Sequence, residues 1–320
     1  MNKKVAFLFP GQGAQYSGMG KDFYTQFVVA RQLFEEADDF LNRSFSKLIF
    51  EGPSDELTLT CNSQIAIYIA SMATLRVVQH EFPFLVPAIC AGLSLGEYTA
   101  LTAAGKIRFI DCLDLVRTRA EAMHQACLET KGSMQVVLGL SEEIIEKTLR
   151  ELMPAQAVWI ANLNCPGQVV IAGALESLAI AGEVLKKNGA KRILPLDVSG
   201  AFHSGLMLSA QQKLAEKIAA TSFDESETKL VMNVPGTLVS SVQQIKSFLI
   251  DQVVSPVRWE RGIGVMKEQK VNLYVEMGPG KTLGGMNKRI GIAEPTLSIE
   301  KVEDLEQLNQ RMESYATIES

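Results

Sequence analysis

Two short apolar runs, each ending abruptly in a glycine-bearing turn, constrain this chain more than any other feature. Val5-Ala6-Phe7-Leu8-Phe9 has no polar alternation and stops at Pro10-Gly11. An uninterrupted apolar run of strand length belongs to a strand buried on both faces, and a parallel sheet is the setting that buries strands so. The pattern returns at Val86 to Ala91, which leads into Gly92-Leu93-Ser94-Leu95-Gly96 and then the helix-prone Glu97 to Ala104. Strand, sharp turn and helix are the implied order. A further helix is predicted over Asp111 to Cys127, where Leu113, Val116, Ala120, Met123 and Cys127 recur at intervals of three and four, with Arg119 on the flank of the stripe.

From Met134 the rhythm changes to six short elements. Met134 to Leu140 reads as a strand, Ser141 as the cap of a helix with Glu142 and Glu143 in its first turn, and Val158 to Asn164 as a second strand. Pro166-Gly167 makes a turn, Gln168 to Ala172 a third strand, Leu175 to Asn188 a helix stopped by Gly189, and Arg192 to Leu196 a fourth strand. Strand, helix, strand, strand, helix, strand is the ferredoxin-like order. Leu206 to Ala220 then reads as a helix, and Lys229 to Val234 and Val271 to Glu276 as strands returning to the first sheet. The expected fold is α/β, a large α/β-hydrolase-like domain of residues 1–130 and 198–320 with a parallel central sheet, and an inserted ferredoxin-like α+β domain of residues 131–197. The charged tail after Glu300 is expected to be a solvated helix or a frayed end.

A length of 320 residues allows a substantial core without staples. The five cysteines, Cys61, Cys90, Cys112, Cys127 and Cys165, show no paired spacing and no metal-ligand pattern with a histidine. They read as reduced, mostly buried thiols of a cytoplasmic protein. After Lys3 and Lys4 the apolar run is too short for a signal-peptide core. Leu57 to Leu75 is uncharged, but Thr58, Thr60, Asn62, Ser63 and Gln64 would stand unsatisfied in a bilayer, so it reads as a core helix with a polar entry. A net charge of −5 argues against nucleic-acid binding.

Gly92-Leu93-Ser94-Leu95-Gly96 fits a nucleophile elbow, in which flanking glycines permit a strained turn that lifts the serine hydroxyl above the sheet edge. The following helix turns its amino terminus toward the site, and the N–H of Leu95 is the first candidate oxyanion donor. A serine hydroxyl needs a base, and the chain has three histidines. His124 lies in the amphipathic helix and His80 in a polar stretch. His203, in the loop Ser199-Gly200-Ala201-Phe202-His203-Ser204, can project into a cleft between domains. The first loop, Phe9-Pro10-Gly11-Gln12-Gly13-Ala14-Gln15, opens at the same sheet edge as Ser94. It is no dinucleotide loop, because Tyr16 replaces the third glycine. Gly280-Lys281-Thr282 mimics a phosphate loop, but Val275 stands where its first glycine is needed.

These motifs together resemble the malonyl-CoA:acyl carrier protein transacylases over nearly the whole length. The first loop, Gly92 to Glu97, Arg117-x-Arg119 with Met123-x-Gln125, and Asn162-x-Asn164-x-Pro166-Gly167-Gln168 through Gly173 carry the resemblance. Ala201-Phe202-His203-Ser204, Pro256-Val257-Arg258-Trp259 and Glu276-x-Gly278-Pro279-Gly280 follow in the family's order. The resemblance implies Ser94 as nucleophile, His203 as general base and then acid, and the backbone N–H groups of Gln12 and Leu95 as the oxyanion hole. It implies Arg119 as the grip on the malonyl carboxylate and the Gln252 carbonyl as the group orienting His203. Phe202 would crowd an α-methyl branch and favour malonyl. Many members carry histidine before the serine, where this chain has Leu93; activity is expected to survive, since a side chain there points away from the serine proton. No cofactor or metal is implied. Malonyl-CoA is a substrate and an acyl carrier protein the partner, in fatty acid biosynthesis, and a cytoplasmic monomer without membrane or nucleic-acid partners is expected. An acidic carrier would need a basic rim, for which Lys186, Lys187, Lys191, Arg192, Lys281, Lys288 and Arg289 are candidates. A hydrolase and a catalytically silent docking subunit are the alternatives.

Overall fold

The computed structural model describes residues 4–153 and 155–317; Lys3 of the amino-terminal reading and the last three residues of the charged tail lie outside them. Strand β1 (Val5–Phe9) leads into helices α1 (Lys21–Gln26), α2 (Val28–Leu41), α3 (Phe45–Glu51), α4 (Ser54–Thr58) and the long α5 (Thr60–Glu81). Strand β2 (Ile89–Gly92) follows, then α6 (Gly96–Ala103) and α7 (Phe109–Glu129). The middle of the chain forms β3 (Gly132–Leu138), α8 (Glu142–Leu152), β4 (Val158–Cys165), β5 (Gln168–Ala174), α9 (Leu175–Lys187) and β6 (Arg192–Pro195). The last third forms α10 (Leu208–Ala220), β7 (Lys229–Met232), β8 (Thr237–Val239), α11 (Val242–Gln252), α12 (Trp259–Glu268), β9 (Leu273–Met277), α13 (Thr282–Ile290), β10 (Thr296–Ile299) and α14 (Leu305–Thr317).

The strands make two sheets. The first has the order β10-β9-β1-β2-β7-β8, parallel except for β8, with β1 between its partners at Leu8↔Ala91 and Leu8↔Glu276. Val5, Phe7 and Phe9 enter the larger core cluster, and Ala6 and Leu8 the smaller one on the other face. Both faces of β1 are thus covered, which is why its run shows no alternation. The second sheet has the order β4-β5-β3-β6 and is antiparallel throughout. Helices α8 and α9 cover one face through Ile145, Leu149, Leu178 and Leu185. Met134, Val136 and Val170 point the other way, against the main core and into the cleft between the sheets.

Three local readings change. Strand β2 begins at Ile89 because Val86 is 66% exposed and Pro87 has no N–H to give a ladder. Ser141 occupies the position before α8 but makes no side-chain capping bond. The tail is neither frayed nor fully solvated up to residue 314, since Leu308 is buried in the main core. The polar entry of α5 is buried at Thr60, Asn62, Ser63 and Gln64, and no helix among the described residues is long and apolar enough to cross a membrane.

Candidate active site

The turn after β2 places Ser94 where β1 and β2 end, beside the first loop. Ser94 has φ of 52°, so the left-handed strain sits on the serine itself and not on its glycine neighbours. Gly92 and Gly96 serve close approach. A Cβ on Gly96 would lie 2.1 Å from the Phe9 carbonyl oxygen, and one on Gly92 would lie 1.9 Å from the Gly96 backbone. Asn233, just past β7, clamps the turn from outside: its Oδ1 accepts from Ser94 N at 2.7 Å and its Nδ2 donates to Gly92 O at 2.8 Å.

His203 also has positive φ, 57°, and is buried. Its Nδ1 lies 2.8 Å from the main-chain oxygen of Gln252, and its Nε2 lies 2.8 Å from Ser94 Oγ. A carbonyl can only accept, so Nδ1 carries the proton and the Nε2 lone pair faces the serine. Burial, aided by the positive charge of Arg119, lowers the His203 pKa to about 4, against the pull of the main-chain oxygens. The imidazole is therefore neutral at pH 7 and free to take a proton.

Arg119 comes from the inner face of α7 and is 1% exposed. Its Nη2 donates to Ser94 Oγ at 3.1 Å and to Gln252 Oε1 at 2.9 Å, and its Nη1 donates to Gln64 Oε1 at 2.5 Å. The ring of Tyr98 lies 5.5 Å from the guanidinium carbon. Its hydrogen bonds thus go to two amides and a hydroxyl, and to no carboxylate among the described residues. Burial disfavours its charge and lowers its pKa, while the neighbouring Tyr98 and the buried Glu97 oppose that shift. Arg117 and Gln125, predicted beside it, face away and pair with Asp114 and Glu129.

Gln12 lines the same cleft. Its side chain donates to Thr60 Oγ1 at 3.2 Å and accepts from Gln64 Nε2 at 3.4 Å. The N–H groups of Gln12 and Leu95 have no protein acceptor among the described residues. Ser94, His203 and Gln12 open onto a cavity of about 270 Å³ between the sheets, walled by Met123, Phe202, Val198 and Leu283 and, from the second sheet, by Asn162 and Asn164. Leu93 lines its floor, and its N–H is held by the Phe9 carbonyl at 3.0 Å. His80 pairs with Glu81 on the surface, and His124 lies on α7 away from the cavity lining.

The structure gathers Ser94, His203, Arg119, Gln12, Leu95 and Gln252 into one site. It adds three residues that sequence reasoning missed. Gln64 belongs to the polar entry of α5, whose signal was polarity in an apolar helix. Glu97 enters the sequence reading as a helix former and as the end of the elbow motif, with no role of its own. Asn233, 139 residues from Ser94 in sequence, had no local signal at all.

A serine sharing hydrogen bonds with a neutral imidazole and a guanidinium, at the mouth of an apolar cavity, can form and hold an acyl ester. The chain is similar to proteins named for acyl transfer. The profile of the acyl transferase domain matches residues 6–289. The malonyl CoA-acyl carrier protein transacylase of Bacillus subtilis is 41% identical over 304 residues, 95% of each chain. That of Escherichia coli is 40% identical over 287 residues, covering 90% of this chain and 93% of the relative. Among solved structures, the transacylase from Clostridium perfringens superposes with a TM-score of 0.94 at 34% identity, covering 98% and 99% of the two chains. A malonyl-transacylase solved in complex with its type II PKS acyl-carrier protein superposes with a TM-score of 0.91 at 39% identity, covering 95% and 98%. Alike over nearly its full length to proteins of one kind, this chain is an acyltransferase and belongs to the family of malonyl CoA-acyl carrier protein transacylases.

Proposed function

We propose that the chain moves a malonyl group from malonyl-CoA to the phosphopantetheine thiol of an acyl carrier protein through a malonyl ester on Ser94, in fatty acid biosynthesis. The observation that carries this reading is that Ser94 Oγ meets both His203 Nε2, at 2.8 Å, and the buried Arg119, at 3.1 Å. Nucleophile, base and a receptor for a carboxylate stand within one substrate's reach.

His203 takes the serine proton as Oγ attacks the thioester carbon. The oxygen of the tetrahedral intermediate becomes an anion between the free N–H groups of Gln12 and Leu95. When the C–S bond breaks, His203 returns the proton to the departing thiolate. The carrier's thiol then gives its proton to His203, attacks the ester carbonyl, and Ser94 regains its hydrogen. Thioester and oxygen ester are close in energy, so the exchange runs both ways and needs no external reductant or nucleotide hydrolysis. Arg119 binds the malonyl carboxylate through its guanidinium fork, and the Gln252 carbonyl fixes the His203 tautomer.

Two finer structural readings accompany this. The antiparallel β4-β5-β3-β6 order with α8 and α9 on one face supports a ferredoxin-like unit of residues 131–197. Insertion of that unit into an α/β-hydrolase-like frame of residues 1–130 and 198–320 puts the acyl cavity between them. A hydrolase would have no use for an arginine sealed beside the nucleophile.

Intact-mass measurement after brief incubation with malonyl-CoA tests the proposal. Wild type is expected to gain one malonyl adduct and Ser94→Ala none. Arg119→Ala should acylate roughly tenfold to hundredfold more slowly, the worth of a charged hydrogen bond. Wild type without an adduct, or release of free malonate in place of transfer to added carrier protein, would sink it.

A further inference from the structure

Glu97 is sealed beneath the serine turn. It is 0% exposed and stands in the first turn of α6. Both carboxyl oxygens accept from donors: Oε1 from the main-chain N–H of Asn233 at 2.5 Å, and Oε2 from Gln252 Nε2 at 2.5 Å. These two partners reach every reacting group. Asn233 holds both sides of the Ser94 turn. The main-chain oxygen of Gln252 holds His203, and its Oε1 holds Arg119.

The Gln252 amide has a forced orientation. Its NH2 donates to Glu97 and to the Ser94 carbonyl at 3.0 Å, while its oxygen accepts from Arg119. Turning it over would set oxygen against two oxygens and NH2 against a guanidinium. Glu97 is the group that makes that turn most unfavourable. The pull of burial, which pushes its carboxyl up to about 8, is opposed by these donors and by Arg119.

Resting on the transfer reaction above, we propose that Glu97 is a positioning residue for acyl selection. By fixing the Gln252 amide it holds Arg119 in the pose that grips a carboxylate. Preference for carboxylate-bearing acyl groups over plain ones therefore depends on a residue that touches no substrate.

The test compares Ser94 acylation rates with malonyl-CoA and acetyl-CoA in the full chain. Variants are Glu97→Gln, Glu97→Asp, Gln252→Ala and the double variants, with thermal unfolding recorded for each. Glu97→Gln replaces one acceptor by an NH2 that can meet only other N–H donors. Its malonyl-to-acetyl rate ratio is expected to fall at least tenfold, mostly through the malonyl rate, and the fall should vanish when Gln252 is already alanine. Glu97→Asp, which keeps the carboxyl group but retracts it, should lower the ratio in the same direction and decides the matter if Glu97→Gln does not fold. An unchanged ratio in a folded variant, an equal fall in the Gln252→Ala background, or failure of both variants to fold would overturn the positioning role. A wild type that takes no malonyl at all would instead overturn the transfer reaction, so the two failures are distinct.

Discussion

Arg119 acts on His203, apart from the substrate-binding role proposed for it. Burial is the larger cause of the low His203 pKa, and the guanidinium charge adds to it, because a cation nearby disfavours imidazolium. The base works only when unprotonated, so activity is present above its pKa and lost as pH falls through it. In wild type the acid limb of Ser94 acylation is therefore expected near pH 4, not near the 6.5 of an ordinary histidine. Arg119→Ala removes the cation and leaves the burial, so the limb should move up without reaching 6.5. Acetyl-CoA is the donor for this measurement, since its acyl group has no carboxylate to lose a partner. A limb that stays in place, or moves down, would contradict the coupling.

At the scale of elements, the turn between β2 and α6 shows what a motif conveys and what it hides. The sequence of Gly92 to Gly96 announces a strand, a sharp turn and a helix, and all three are present. It does not announce why glycine is needed. Neither Gly92 nor Gly96 has the positive φ that only glycine adopts with ease; each sits where another backbone passes within contact distance. Gly96→Ala forces α6 away from the end of β1, and overpacking of this kind costs roughly 3 kcal/mol. A lower urea midpoint is expected together with loss of Ser94 acylation, because the displaced helix carries Glu97 and the Leu95 N–H with it. Full acylation in a stable Gly96→Ala protein would show that the close approach is dispensable. β1 was legible from its unbroken apolar run, and α7 and the six elements from β3 to β6 from hydrophobic spacing and turn residues, whereas the amphipathic α2, α11, α12 and α13 were not read. Ser94 and His203, which the structure brings together, were legible from the elbow and from a choice among three histidines, and Arg119 from the family resemblance alone. Asn233 and Gln64 were not, since each earns its place through a partner on a distant segment, and such pairing leaves no periodic trace in the chain.

At the scale of the whole molecule, the segment around Val257 ties the two sheets together. Val257 exchanges hydrogen bonds with β4, donating to Ala161 O at 2.9 Å and accepting from Leu163 N at 2.8 Å, while Arg258 N donates to Asn233 O at 3.0 Å. The strap that bridges to the second sheet therefore begins at Gln252, beside His203, and ends at Arg258, bonded to the residue that clamps the Ser94 turn. The basic residues considered for a carrier-protein surface are unequal. Lys281 is tied to Asp304 at 3.1 Å, and Lys186 to Glu183 at 2.9 Å. Arg289 reaches the cleft mouth, where its Nη1 donates to Gln168 Oε1 at 2.5 Å, and Lys288 shares its turn of α13. A chain of net charge −5 repels an acidic partner at long range, so such a carrier needs a local basic field at this mouth. Replacing Lys288 and Arg289 by alanine is expected to raise the KM for carrier protein about tenfold, the worth of two exposed charge contacts. Ser94 acylation by malonyl-pantetheine, a donor without nucleotide phosphates, should hardly change. Added salt should slow transfer to the carrier in wild type and do so less in the double variant, because screening removes only what the two charges supply. Equal salt sensitivity in both proteins would place the carrier on a different face.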